Sequence, residues 1–142
     1  ENHRNFQTYS KNLNGFYLKN SPMWDDDCSW EGFKWISADD YTQSIIVFRR
    51  IDRKGNEIFA VCNFAPVDRK DYRFGVPYMG KYTEVFNSSS VDGSPYANAP
   101  VSAERIPMHG LDQSIAVDIP GLSVIFFKVR KTPGRKPKLR TE

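Results

Sequence analysis

Residues 44–64, SIIVFRRIDRKGNEIFAVCNF, consist of two apolar runs that flank the polar turn DRKGN at 52–56. Both runs are rich in β-branched and aromatic residues, which is typical of strands. The Gly55-Asn56 pair in the turn favours a hairpin. Each run is too apolar for a strand with only one buried face. We therefore predict two central antiparallel strands, with one face on a partner sheet and the other on a helix or a neighbouring domain.

Further strand-like segments follow on both sides of this hairpin. The run at 122–129 is as apolar as the hairpin and predicts a third central strand. With turn residues every 8–12 positions, the pattern predicts seven or eight short strands in a β-sandwich or barrel. The other predicted strands lie at 33–36, 72–74, 81–86 and 114–119, with a short edge strand at 105–108.

The first 20 residues have a different period. Phe6, Tyr9, Leu13 and Phe16 recur at spacings of three or four, which predicts an amphipathic helix over residues 5–18. The sequence Asn-Ser-Pro at 20–22 ends it. Because a single helix with an aromatic face is not stable alone, it must pack on another element. We expect that element to lie outside this chain.

Length and charge limit the possible partners. A chain of 142 residues predicts one domain with a substantial core. The net charge is +3, but residues 130–142 carry six basic residues and one acidic residue, a net +5, which leaves −2 for residues 1–129. A basic tail on a nearly neutral body is weak evidence for phosphate contacts, so we predict no nucleic-acid partner.

Localisation is predicted from three features. The sequence has no signal-peptide core and no apolar run of membrane-spanning length, so we expect no membrane partner. Two cysteines, Cys28 and Cys62, are too few for a disulfide framework, which favours a reduced, cytoplasmic protein. The chain does not begin with Met, and we expect it to be a piece of a longer protein.

Residues for catalysis or metal binding are sparse. The two histidines, His3 and His109, are far apart, so we predict no metal site and no cofactor. We expect His109 to make a local hydrogen bond rather than to act as a base. The acidic runs at 25–27 and 39–40 lie in polar segments, where we expect solvated carboxylates rather than a catalytic pair. No catalytic residue is predicted.

Five stretches of the chain resemble a known family. They match, in order and spacing, the C-terminal end of bacterial 1,4-α-glucan (glycogen) branching enzymes over about residues 5–129. The combination of GFKW at 32–35, NFAPV at 63–67 and DYRFGV at 71–76 is specific to that family among amylase-like enzymes. The stretches are LNGFYLKNSPMWD, EGFKWISADD, SIIVFRRIDRKGNEIFAVCNFAPVDRKDYRFGVP, GKYTEVFNSSS and MHGLDQSIAVDIPGLSVIFF.

The resemblance implies an architecture. Residues 1–22 would be a remnant of the last helix of a catalytic (β/α)₈ barrel, residues 23–130 a Greek-key β-sandwich of the α-amylase C-terminal type, and residues 131–142 a flexible basic tail. The family's catalytic carboxylates belong to the barrel, and no position here matches them. The chain departs from the family at 88–102, where a Gly- and Asn-rich stretch is usual, so the role of this loop stays open.

The resemblance also implies a function. The intact enzyme would be a glycosyltransferase of glycogen biosynthesis, which holds a segment of α-1,4-glucan as a covalent intermediate and transfers it to a 6-hydroxyl. The chain alone would be a non-catalytic domain whose partners are the barrel and, in the intact enzyme, α-glucan. The alternative is a self-standing carbohydrate-binding module that stacks sugars on exposed tryptophans, with Trp24, Trp30 and Trp35 as candidates.

Three aromatic residues are the candidates for a glucan contact or a domain interface: Trp35, Phe33 and Trp30. Strand alternation predicts that Phe33 and Trp35 share one face, with Lys34 and Ile36 on the other. Two interpretations of Trp35 are open at this point. Its ring either fills a domain interface as an apolar wedge or contacts the glucan chain.

Overall fold

The structure is a computed structural model that describes residues 1–90 and 98–133. Within these residues one α-helix precedes two short 3₁₀ turns and eight strands. The helix is α1 (Asn2–Lys19), and the strands are β1 (Phe33–Asp40), β2 (Ile45–Ile51), β3 (Glu57–Asn63), β4 (Arg69–Val76), β5 (Gly80–Asn87), β6 (Val101–Ser102), β7 (Gln113–Ile119) and β8 (Ser123–Lys131).

The strands form two antiparallel sheets. The larger sheet has the order β1-β2-β3-β8-β5-β6, and β4 and β7 pair with each other in the second. The chain leaves the larger sheet after β3, and β8 returns to lie between β3 and β5. This crossing between sheets is a Greek-key arrangement. The predicted β-sandwich, its N-terminal helix and the central position of the three most apolar strands are confirmed.

Two apolar layers lie on opposite faces of the larger sheet. Phe59 and Val61 of β3 face the core between the sheets, together with Phe127 of β8. The alternate residues Ile58 and Ala60 belong to a second cluster on the outer face. Because side chains alternate along a strand, one run of apolar residues supplies both layers. The predicted burial of β3 on both faces is therefore confirmed.

Helix α1 packs on this outer face. Phe16 stacks on Phe126 with ring centroids 5.0 Å apart and lies 5.4 Å from Phe86, while Tyr9 lies 6.2 Å from Phe86. Leu13 joins the same cluster. Our expectation that the packing partner lies outside the chain is wrong for these side chains, because β5 and β8 present phenylalanines on their outer face. None of the residues of α1 is fully buried.

The edge strand predicted at 105–108 and the predicted start of the tail at 131 need correction, and β1 and β4 are longer than the segments predicted for them. Residues 105–108 do not form a strand, and only single bridges, Glu104 with Ser114 and Met108 with Leu111, occur near them. Pro107 has no backbone N–H to donate to a ladder. At the other end, Lys131, which we placed in the basic tail, is the last residue of β8. The remaining tail at 134–142 and the loop residues 91–97 lie outside the described residues.

A buried carboxylate ties the segment after α1 to the β2–β3 turn. Asp52 accepts hydrogen bonds from Ser21 Oγ at 2.5 Å, from the backbone N–H of Lys54 at 2.9 Å, and from Asn56 N and Nδ2, both at 2.8 Å. Burial raises the pKa of Asp52, but the hydrogen bonds from Ser21, Asn56 and Lys54 outweigh it and bring the pKa below its usual value of 3.8.

The contact of α1 with the sheet predicts different effects for two phenylalanines. Truncating a fully buried Phe costs ~3–5 kcal/mol, so Phe16→Ala, at a half-buried site, should lower the free energy of unfolding by about 1–3 kcal/mol. Phe6→Ala is the matched control, because Phe6 is 69% exposed, and it should change stability by less than about 0.5 kcal/mol. Urea denaturation measures both, and equal effects would contradict the packing.

Asp52 predicts a pH-dependent stability. Because its pKa is lower in the folded state, its contribution is fully present above the unfolded pKa of about 3.9 and is lost as pH falls through the folded value. Asp52→Asn should lower the free energy of unfolding near neutral pH by about 1–2 kcal/mol. The difference between the two proteins should shrink below pH ~4. Denaturation at pH 7 and pH 3 tests this, and a constant difference would refute it.

Candidate functional site: an aromatic surface beside helix α1

Three rings form an aromatic surface on β1 and β2. Phe33 meets Trp35 edge-on at 4.9 Å and stacks on Phe48 at 5.0 Å, and Trp35 lies 6.0 Å from Phe48. Trp35 and Phe48 are direct cross-strand partners, an arrangement that favours contact between aromatic rings. We call Phe33, Trp35 and Phe48 the outer aromatic surface, because Phe48 belongs to the same outer cluster as the side chains of α1.

The predicted alternation along β1 is confirmed. Ile36 packs against the core between the sheets, while Phe33 and Trp35 meet on the outer face. The register of β1 against β2 shifts after Trp35. Phe48 was missed, although the sequence contained a usable signal: an antiparallel β1 would place an aromatic residue of β2 opposite Trp35.

Trp30 does not join this surface. Its ring lies below Lys34 Nζ, 5.0 Å from the centroid, which is a cation–π geometry. Among the described residues it has no ring contact with Phe33 or Trp35. The structure therefore brings together two of the three predicted site residues and leaves Trp30 at a separate position, in the short turn before β1.

The exposure of the tryptophans is unusual. Trp30 is 78% exposed, Trp35 56% and Trp24 42%. Tryptophan is highly buried on average, and contiguous exposed apolar surface marks a place where another molecule or domain binds. The outer aromatic surface lies on the same sheet face as α1, so together they form one incompletely covered apolar layer.

The three acidic residues at 25–27 make hydrogen bonds and an ion pair within the fold. Asp25 accepts the backbone N–H of Arg53 at 2.9 Å, Asp26 accepts Ser29 Oγ at 2.6 Å, and Asp27 forms an ion pair with Arg50. Our expectation of merely solvated carboxylates is wrong here, because the segment folds back against β2. These bonds hold the chain between α1 and β1 in place.

Asp40 of the second acidic pair is also hydrogen-bonded. Asp40 accepts hydrogen bonds from Tyr72 Oη at 2.6 Å and from Gln43 Nε2 at 3.0 Å. Burial, followed by the hydrogen bond to Asp40 and its charge, raises the pKa of the Tyr72 hydroxyl well above its usual range. This contact joins β1 of the larger sheet to β4 of the second. It leaves Asp40 as an acceptor in a structural bond rather than as half of a catalytic pair.

Other candidate residues have local roles. His109 Nδ1 accepts the backbone N–H of Gly75 at 3.1 Å, which confirms the predicted local hydrogen bond. Cys28 and Cys62 are both free, and burial raises the pKa of Cys62 to about 11.

Among residues 1–90 and 98–133 there is no group of three or more His, Cys, Asp or Glu that could hold a metal ion. Over the same residues, no helix has the length and hydropathy to span a membrane.

Comparison with known families gives a match over most of the sandwich. Residues 35–130, from Trp35 to the last but one residue of β8, match the family described as "Alpha amylase, C-terminal all-beta domain". The chain belongs to this family. As an α-amylase C-terminal domain, it has the eight-stranded antiparallel core described above, with α1 and the turn that carries Trp30 preceding the matched region.

Curated relatives of this α-amylase C-terminal domain have one name in common. This chain is 39% identical over 133 residues to "1,4-alpha-glucan branching enzyme GlgB" of Clostridium perfringens (strain ATCC 13124). The match covers 90% of this chain and 20% of the relative. Enzymes of the same name from Aquifex aeolicus and Halothermothrix orenii are 41% and 40% identical over 130 residues, covering 89% of this chain and 21% of each relative.

The chain spans about a fifth of the length of the curated relatives that it matches. Each match leaves out about a tenth of this chain, and a tenth of the chain contains fewer residues than the 18 of α1. Each match therefore includes at least part of the helix as well as the α-amylase C-terminal domain.

The exposure of Trp35 predicts a small effect in this chain. Because more than half of the ring faces outward, Trp35→Ala should change the free energy of unfolding by less than about 1 kcal/mol. Phe48→Ala should cost more, about 1–3 kcal/mol, because Phe48 also packs in the outer cluster with α1. Urea denaturation with matched baselines compares the two. A larger loss for Trp35→Ala would show that the ring is a core residue of the isolated chain.

Proposed function

We propose that this chain is the C-terminal β domain of a 1,4-α-glucan branching enzyme. The observation that carries the proposal is about 40% identity to several enzymes of that name over 90% of the chain. The parent enzyme transfers a segment of α-1,4-glucan to a 6-hydroxyl and forms α-1,6 branches in glycogen biosynthesis. A cytoplasmic location belongs to the same proposal, and the two free cysteines support it.

The proposal includes the division of the chain. Residues 1–22 are the remnant of the last barrel helix, 23–131 the C-terminal sandwich, which ends with Lys131 of β8, and 132–142 the basic tail. The catalytic carboxylates of the parent lie in its (β/α)₈ barrel, and this domain contributes none. The involvement of Asp25, Asp26, Asp27 and Asp40 in structural hydrogen bonds or ion pairs supports this assignment.

The outer apolar layer is the proposed contact with the barrel. Helix α1 covers Phe86 and Phe126 with one side only, and it leaves Phe6 and Leu18 exposed. The outer aromatic surface continues this layer beyond the helix. Covering it with the barrel would remove apolar area from water at ~25 cal/mol per Å², which stabilises both domains. In this arrangement Trp35 is an apolar wedge.

A variant of the parent enzyme tests the wedge. In the full-length enzyme, Trp35→Ala should destabilise by ~3–5 kcal/mol, as core truncations do, with activity lost in proportion to unfolding. Tyr41→Ala is the control, because Tyr41 is an aromatic residue 85% exposed in the turn after β1. Thermal unfolding and branching of amylose, followed by iodine staining, give the two readouts. A variant with parental melting temperature and rate would refute the wedge.

The function itself is tested with two proteins. The gene upstream of residue 1 should encode a barrel with paired acids, and the full-length product should branch amylose. The 142-residue chain alone should show no branching, because it contains no catalytic carboxylates on this proposal. Measurable branching by the pure chain, or none by the full-length protein, would overturn the assignment.

A second candidate function is a self-standing carbohydrate-binding module. The observation that favours it is Trp30, whose exposed ring, with Lys34 above one part of it, resembles a platform for a sugar face. In the intact branching enzyme, by contrast with the wedge, a glucan contact of Trp35 would leave the melting temperature of Trp35→Ala nearly unchanged while lowering kcat/KM. A tenfold loss would correspond to ~1.4 kcal/mol of transition-state binding. Saturable quenching of tryptophan fluorescence by maltoheptaose, abolished by Trp30→Ala, would support it.

A further inference from the structure

A second concave surface lies on the opposite side of the sandwich from α1. Its volume is about 500 Å³, and it is lined by β4, the end of β1 and the turn at Met108 and His109. We call it the β4 pocket. Since α1 covers one face of the larger sheet and β4 belongs to the sheet on the other face, the pocket is separate from the outer aromatic surface. Its volume is in the range of small-molecule binding sites.

The backbone around the pocket is irregular at two points. The register of β4 against β7 shifts between Arg69 and Tyr72. Asp71 within this shift has φ 50°, and His109 across the pocket has φ 52°. Non-glycine residues rarely adopt this left-handed conformation, and irregular strands of this kind are frequent beside binding sites. Here they place a charged residue and an imidazole on the wall of one cavity.

The polar groups of the pocket have unused hydrogen-bonding capacity. Among the described residues, the Arg69 guanidinium makes only one long bond, from Nη2 to Gln43 O at 3.4 Å. Its Nε–H has no acceptor but is itself buried, so the donors it can present to a ligand are on Nη1 and Nη2. The Asp71 carboxylate has no donor within the same ranges. Because His109 accepts at Nδ1, its other ring nitrogen, Nε2, carries the N–H and can donate to a ligand. The wall thus offers both donors and acceptors to a ligand.

The charges of the pocket select the class of ligand. Three Asp and three Lys or Arg side chains line it, which sum to zero. A phosphate or carboxylate ligand would gain little from a wall with balanced charge, whereas a sugar presents hydroxyls that donate and accept at once. Mixed donors and acceptors around a site of this size therefore fit an uncharged polyhydroxylated ligand better than an ion.

We propose that the β4 pocket binds two or three units of an uncharged oligosaccharide through Arg69, Asp71 and His109. Resting on the proposed function, the oligosaccharide is α-1,4-glucan. Asp71 accepts hydrogen bonds from sugar hydroxyls, while the guanidinium of Arg69 and Nε2 of His109 donate to sugar oxygens. The pocket lets the domain bind the glucan chain on the side of the sandwich opposite to α1.

Titration of the ¹⁵N-labelled 142-residue chain with maltoheptaose tests the proposal. Saturable changes in amide shifts are expected within 69–76 and at His109 and Gly110. Arg69→Ala should weaken binding at least tenfold. Asp71→Asn should do the same, and it keeps a residue type that tolerates positive φ. Arg53→Ala, an exposed arginine on the β2–β3 turn, should bind as the parent chain does. The amide spectrum of each variant verifies that it is folded.

Four outcomes would overturn the inference. They are the absence of saturable shifts, shifts confined to the outer aromatic surface, unchanged affinity of folded Arg69→Ala and Asp71→Asn, or equal shifts with inorganic phosphate. Equal binding of cellohexaose, a β-linked glucan, would overturn the α-glucan assignment. Failure here is distinguishable from failure of the proposed function, because the latter is decided by branching activity of the full-length enzyme and not by amide shifts.

Discussion

Strand β3 has no face toward solvent, and the rest of the structure depends on how it is fixed. In most strands polarity sets the register, because a slip by one residue would expose the apolar side. Here both sides are apolar, so polarity cannot choose between them. The polar groups at the two ends of β3 set its register instead. Asp52 closes the turn before it, and Asn63 at its end donates to Val67 O and Pro120 O at 2.9 and 3.1 Å.

The two faces of β3 belong to two apolar layers that differ in how completely they are covered. The layer between the sheets is closed, with Phe59, Phe74 and Phe127 fully buried. The outer layer is closed over Ile58 and Ala60 of β3, which are fully buried in one cluster with Phe86 and Phe126, whereas Trp35 on β1 stays largely exposed. The proposed barrel contact follows from this imbalance. The aromatic side of α1 covers the outer face of β3, β5 and β8, and the outer face of β1 at Trp35 needs a further cover.

Local periodicity was sufficient for most of the elements, with the false strand at 105–108 as the exception, and insufficient for their partners. Alternation and apolar runs predicted the sandwich and its central strands, and the spacing of three and four predicted α1, because these signals lie within single segments. The contact of Phe16 with Phe126 joins the two ends of the chain, and no local pattern encodes it. The same limit applies to the site. The pairing of Phe33 with Trp35 follows from alternation within β1, whereas Phe48, Trp30 and the β4 pocket depend on how different segments meet.

The position of Cys62 in β3 has a practical consequence. Alkylating reagents react with the thiolate, and Cys62 is both shielded from reagent and held protonated by its raised pKa of about 11. Cys28, in the loop before β1, is exposed to the reagent. The two thiols therefore report two different processes when the chain is alkylated. Alkylation of Cys28 gives the rate of reaction at an exposed thiol. Alkylation of Cys62 gives the frequency with which the middle of the sandwich opens, and no label needs to be introduced.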